Sequence, residues 1–126
     1  VPVKETIRLY LRTLEESNYS SLIELFTHDA VVDSPLYGKK RASEFYKELF
    51  KDTNSSKITL LDIFESENAG AGYFRYDWKL KDGTLVTFDC VDVFRFLQDK
   101  IETIKIIYDT YYTRAAFEKL SDLGYS

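Results

Sequence analysis

The chain has 126 residues, a formal net charge of −4 and 16% aromatic residues, with one His, one Cys and no Met. One cysteine excludes an intramolecular disulfide framework, and one Cys beside one His makes a zinc site untenable, so no metal or cofactor is expected. The acidic balance argues against nucleic acid, whose binding rests on basic side chains, and no apolar run approaches the roughly 20 residues of a membrane span.

Val3 to Glu16 places Val3, Ile7, Tyr10, Leu11 and Leu14 at helical spacing and predicts an amphipathic helix. Asn18 is the expected N-cap of a second, short helix carrying Leu22, Ile23, Leu25 and Phe26. Ala30 to Ser34 reads as a strand stopped by Pro35, and Gly38 marks a turn. A third helix is expected from Arg41 to Phe50, with Phe45, Tyr46, Leu49 and Phe50 as its apolar stripe. Beyond the polar break Asp52 to Ser56, four strands are expected near Lys57–Glu65, Ala71–Leu80, Thr84–Leu97 and Ile101–Tyr112, then a helix near Arg114–Leu123. Helices followed by an antiparallel meander predict an α+β fold, a curled sheet with helices on one face. No linker or repeat divides the chain, so residues 1–126 are expected to form one domain. No secretory signal pattern opens it, and a cytoplasmic location is the default expectation.

The hairpin at Leu80-Lys81-Asp82-Gly83-Thr84 decides which residues face inward. A two-residue Asp-Gly turn and a three-residue loop with left-handed Gly83 put the upstream strand in opposite facings, because side chains alternate with period two. The two-residue turn would put Arg75, Asp77 and Lys79 on one face with Phe88, Cys90 and Phe94. The three-residue loop instead gathers Phe74, Tyr76, Trp78, Leu80, Val86, Phe88, Cys90, Asp92, Phe94 and Phe96 on one face. Arg75, Asp77, Lys79, Asp89 and Arg95 then share the other. The second reading keeps charges with charges and rings with rings, and is the one adopted.

Asp92 is thereby the sole ionisable acid on an aromatic face. Lost solvation would raise its pKa, and a protonated acid there could donate to a developing oxyanion; the alternative is a structural Asp tied to a buried tyrosine or a backbone amide. His28 reads as a solvated turn residue, Cys90 as a small buried hydrophobe and Asp109 as a structural or interface carboxylate. Lys39-Lys40-Arg41 is a short solvated run that could border a pocket mouth. Ile104 and Ile106 are expected to face the pocket, with Tyr111 and Tyr112 covering it or joining a subunit contact.

Three stretches, in order along the chain, resemble the ketosteroid-isomerase and SnoaL-like polyketide-cyclase group of the nuclear transport factor 2-like superfamily. They are Leu9-Tyr10-Leu11 leading to Leu25 through Pro35, Glu44-Phe45-Tyr46, and Val91 through Phe96. Tyr108-Asp109-Thr110 followed by Arg114-Ala115-Ala116 is similar to SnoaL-like relatives as well. The resemblance implies a cone-shaped α+β barrel, a small apolar ligand and a homodimer formed through the outer sheet face. It implies that Tyr10 and Asp92 form an oxyanion hole, supported by Tyr46. Ser34, Tyr46, Phe74, Tyr76, Trp78, Phe88, Phe94, Ile106 and Tyr108 are the expected substrate-binding positions.

The family's general base precedes the proline, and here Ser34 holds that position with Asp33 one residue earlier. Serine is too weak an acid to serve as a carboxylate-type base, and Asp33 should point to the opposite face unless a kink at Pro35 turns it inward. Asp33 is thus the remaining candidate base. The expected function is binding of an apolar carbonyl compound with proton transfer of isomerase or cyclase type. The alternative is a non-catalytic ligand-binding or assembly module that has lost the base.

Overall fold

Helix α1 (Val3–Glu15) forms where the apolar spacing places it, burying Ile7, Tyr10, Leu11 and Leu14 in the computed structural model, which describes residues 2–122. Ser17, at a φ of +52°, breaks the chain away, and Asn18 then caps α2 (Tyr19–Ile23) by accepting the Ser21 N–H at 3.3 Å. Phe26, expected on that helix, begins β1 (Phe26–Ser34) instead. Strand β2 (Gly38–Arg41) follows across a turn in which the Ser34 hydroxyl accepts the N–H groups of Leu36 and Tyr37 at 3.3 and 3.4 Å. Helix α3 is Ala42–Asp52; the remaining strands are β3 (Thr53–Glu65), β4 (Ala69–Leu80), β5 (Leu85–Leu97) and β6 (Lys100–Ile107), closed by α4 (Tyr111–Asp122). The expected end of that last helix, Leu123, lies outside the described residues.

The fold is α+β, a curled six-stranded sheet packed against the N-terminal helices, in the order β2-β1-β6-β5-β4-β3. Strands β2 and β3 are its two edges, so the cone stays open along one side. Two elements depart from the meander expected. The polar run Asp52–Ser56, read as a break, supplies the end of α3 and the start of β3. The charged run Lys39–Arg41, expected as a short solvated run leading into the third helix, is the short edge strand β2, and charge is a common guard on an exposed edge. Strand β1 pairs antiparallel with β2 but parallel with β6, bringing the N-terminal segment beside the last strand.

The β4–β5 hairpin takes the three-residue loop. Leu80 N–H donates to the Thr84 carbonyl at 2.8 Å, Gly83 N–H donates to the Leu80 carbonyl at 2.9 Å, and Gly83 adopts φ +90°. The register pairs Trp78 with Val86, Tyr76 with Phe88, Phe74 with Cys90 and Gly72 with Asp92. Phe74, Tyr76, Trp78, Leu80, Cys90, Asp92 and Phe94 are buried, whereas Arg75, Lys79, Asp89 and Arg95 are exposed. Glycine lets α1 settle on this sheet: a Cβ at Gly70 would lie 2.7 Å from Val3 Cγ1 and 2.8 Å from Ile7 Cδ1, and one at Gly72 would lie 3.2 Å from Ile7 Cγ2.

Candidate functional site

The mouth of the cone holds a cavity of about 40 Å³, room for roughly three water molecules. Strand β4 contributes Phe74, Tyr76 and Trp78, and β5 contributes Phe88, Cys90 and Asp92. Ile106 of β6 and Tyr108 just beyond it form a third side, while α1 supplies Tyr10 and Leu14 and α3 supplies Phe45 and Leu49. Ser34 and Tyr37, at the end of β1 and in the turn after it, complete the wall.

Asp92 is 1% exposed. Burial pushes its carboxyl up to about 7, and the hydrogen bond that it accepts from the Cys90 thiol, at 3.2 Å, pulls the other way. The carboxyl therefore changes charge near neutral pH, with no cationic side chain paired to it among the described residues. Burial also raises the Cys90 thiol, as does the neighbouring Asp92, which leaves it a neutral donor rather than a thiolate.

Tyr10 and Tyr46 are both fully enclosed and their hydroxyls lie 2.5 Å apart. Burial raises both phenols well above the ordinary range, so each is a neutral hydroxyl at physiological pH. Tyr46 stands behind Tyr10 rather than on the cavity wall, and Phe94 likewise lies beneath it, with ring centroids 5.1 Å from Tyr10 in an edge-on contact. Tyr76 is raised chiefly by burial; Tyr108 is pushed up to about 12, again chiefly by burial, while Ser34 and Thr113 hydroxyls oppose the shift. The rings of Phe88 and Tyr108 meet at 4.4 Å, joining β5 to the segment after β6.

Of the residues expected at the site, Tyr10, Ser34, Phe74, Tyr76, Trp78, Phe88, Asp92, Ile106 and Tyr108 meet at this one cavity, and Tyr46 and Phe94 support it from behind. Asp33 does not join them. Beyond an irregularity between Phe26 and Val31 the alternation is regular from Ala30 to Ser34, Asp33 pairs with Lys39 and Lys105 across the ladders, and its Oδ2 accepts from Lys105 Nζ at 3.1 Å on the outer face. The turn after Pro35 bends the backbone without rotating Asp33 inward. Ile104 is buried in the core rather than on the cavity wall, Tyr111 and Tyr112 are exposed at the start of α4, and His28 is exposed on β1 instead of in a turn.

Tyr37 and Asp52 escaped the sequence reading. Tyr37 is held between Phe45 and Phe117, with centroids 5.5 and 5.3 Å away, and donates its hydroxyl to Asp52 Oδ2 at 2.7 Å. Burial raises the Asp52 carboxyl, and the Tyr37 bond works against that rise. The Ser-Pro-x-Tyr-Gly turn was the available signal, since it returns the residue before Gly38 to the mouth of the first strand. Among the described residues, no group of three His, Cys, Asp or Glu side chains is placed to hold a metal ion, and no helix is long and apolar enough to cross a membrane.

The SnoaL-like domain family matches residues 7–104 of this chain. Similar solved structures include an NTF2-like protein of unknown function from Burkholderia pseudomallei, 16% identical with a TM-score of 0.77, covering 93% of this chain and 95% of that one. A protein with a ketosteroid isomerase-like fold from Catenulispora acidiphila, solved in complex with trimethylamine, is 14% identical with a TM-score of 0.75, over 83% and 85% of the two chains. TerC, co-crystallised with polyporic acid, is 17% identical with a TM-score of 0.74, over 92% and 95%. At these identities the likeness is one of fold. No curated protein matches the sequence.

Proposed function

The chain belongs to the SnoaL-like domain family, and on that footing we propose that its aromatic cavity binds a small, largely apolar compound through a carbonyl oxygen. One observation carries the reading: a fully buried carboxyl, Asp92, whose burial pushes its pKa up to about 7, set in a wall of rings beside Tyr10. In its neutral form Asp92 donates to the ligand oxygen. If Tyr46 donates to Tyr10, the Tyr10 proton is free to make a second bond to the same oxygen. The ligands held by two neighbours of the same fold, trimethylamine and polyporic acid, support a small-molecule role. With Ser34 at the family's base position and Asp33 turned outward, binding and polarisation of the carbonyl come before catalysis in this reading. Carbon-13 NMR of carbonyl-labelled cyclopentanone tests it. The bound carbonyl signal should move downfield at pH 6 and return towards its free position at pH 8; a signal indifferent to pH and to Tyr10→Phe sinks the reading.

Proton transfer of the isomerase or cyclase type is the second reading, favoured by the Tyr37–Asp52 pair. A proton leaving the carbon beside the carbonyl would pass to the Tyr37 oxygen as the Tyr37 proton passes to Asp52 Oδ2. That leaves a neutral acid at Asp52 and an enolate held by Asp92 and Tyr10. Deuterium exchange into cyclopentanone measures this step: Tyr37→Phe and Asp52→Asn should slow it at least tenfold, while Asp33→Asn leaves it unchanged. A homodimer through the outer sheet face, where Val91 and half-exposed Ile107 pair, belongs to the same proposal and is tested by sedimentation.

A further inference from the structure

Eight of the fourteen residues lining the cavity are aromatic, one is an acid, and none is Lys, Arg or His. Ring faces carry the negative end of the aromatic quadrupole, and their attraction for a cation grows when water is excluded; Trp and Tyr are the strongest partners. The titratable groups facing Asp92 are Cys90 on its own strand, Tyr76 on β4, Tyr10 on α1, Tyr46 on α3 and Tyr108 beyond β6. All are neutral in their protonated form, and the ladder neighbours Gly72 and Ile106 carry no charge. The ionised carboxylate therefore has no counter-charge from the described residues.

We propose that the cavity binds a compact alkylammonium cation, paired with the Asp92 carboxylate and surrounded by the rings of Tyr10, Tyr76, Trp78 and Tyr108. A cavity of about 40 Å³ restricts the ligand to a small head group, for which the walls must part, and its nearly apolar lining sets the degree of alkylation. A primary ammonium brings three N–H donors that need acceptors, whereas a fully alkylated nitrogen brings none. The inference shares the cavity with the carbonyl reading but does not rest on it. A carbonyl needs Asp92 as a proton donor, an ammonium needs it as an anion, and the two ligands exchange preference as that group titrates near pH 7.

Trp78, the chain's one tryptophan, lines the cavity, so its fluorescence reports occupancy directly. The full chain is titrated with tetramethylammonium chloride at pH 6 and pH 8, against sodium chloride for ionic strength and tert-butanol as a neutral probe of like shape. The ammonium should bind saturably and about tenfold more tightly at pH 8, following the ionised fraction of Asp92. tert-Butanol should bind at least tenfold more weakly at pH 8 and show no pH dependence. Asp92→Asn should lose the pH dependence and at least tenfold in affinity, and Tyr108→Leu should weaken binding severalfold while keeping it. No saturable response at pH 8, or parity with tert-butanol, overturns the proposal even if the Asn variant fails to fold. Cyclopentanone in a parallel titration should bind more tightly at pH 6, so the carbonyl reading stands or falls on its own arm.

Discussion

The Cys90 thiol donates to Asp92 Oδ1 at 3.2 Å from the neighbouring inward position of the same strand. Two residues along a strand return to the same face, so the pairing follows from the pleat and needs no loop to arrange it. It places a neutral, weak donor against a carboxyl that burial has driven up to about 7. The residue that reads as packing thus restores part of the acidity that burial takes from the residue that reads as chemistry.

Replacing Cys90 with Ala removes a bond that favours the ionised carboxyl, so the Asp92 pKa should rise further above about 7. Cys90→Ser, with a stronger donor, should lower it. Titration of carbon-13-labelled aspartate by NMR separates the two variants, and a wild-type value near 4 would contradict the burial argument itself.

Asp92 also makes stability depend on pH. Its folded pKa lies above its unfolded one, so between about pH 4 and pH 7 the native state holds a proton that the unfolded chain releases, and each rise in pH favours unfolding. The contribution is complete below pH 4 and lost by the time pH passes 7, on the order of 4 kcal/mol in all. Urea melts at pH 4.5 and pH 8 should show Asp92→Asn gaining on the wild type at the higher pH. A difference that stays constant across that range would refute it.

The Tyr10 and Tyr46 hydroxyls are buried together, so deleting either leaves the other without its partner. Tyr10→Phe and Tyr46→Phe should each cost about 1–3 kcal/mol in chemical denaturation. The double variant should cost clearly less than both combined, because no hydroxyl is then stranded.

Ser34 is 4% exposed, lines the cavity and accepts the N–H groups of Leu36 and Tyr37. An aspartate can accept the same pair in an Asx turn, so Ser34→Asp should preserve the backbone while placing a desolvated carboxylate at the cavity. Deuterium exchange into cyclopentanone should accelerate by about a hundredfold, the lower end of what a positioned base supplies. An unchanged rate in a folded variant would show that the ligand carbon does not reach the end of β1.

The inward wall of the site was legible because alternation along β4 and β5 is strict and the Lys81-Asp82-Gly83 loop has one arrangement that sorts rings from charges. The outward turn of Asp33 was legible for the same reason. What alternation cannot encode is contact between elements distant in sequence. The parallel pairing of β1 with β6 depends on a return across the whole sheet, and the Tyr37–Asp52 bond joins a turn to a helix end fifteen residues away. Strand β2 was hidden for another reason: its Lys39, Lys40 and Arg41 protect an edge, and a protective composition looks like a loop.

Gly70 and Gly72 work as a spacer between α1 and β4. Because the helix rests where two side chains are missing, the height of Tyr10 above Asp92 is set by the thickness of bare backbone beneath Ile7. Adding a methyl group at Gly70 would press on Val3 and Ile7 and so on the seat of the helix that carries Tyr10, without altering any residue of the cavity. The depth of the cavity is therefore adjustable from underneath, by the floor on which the helix stands.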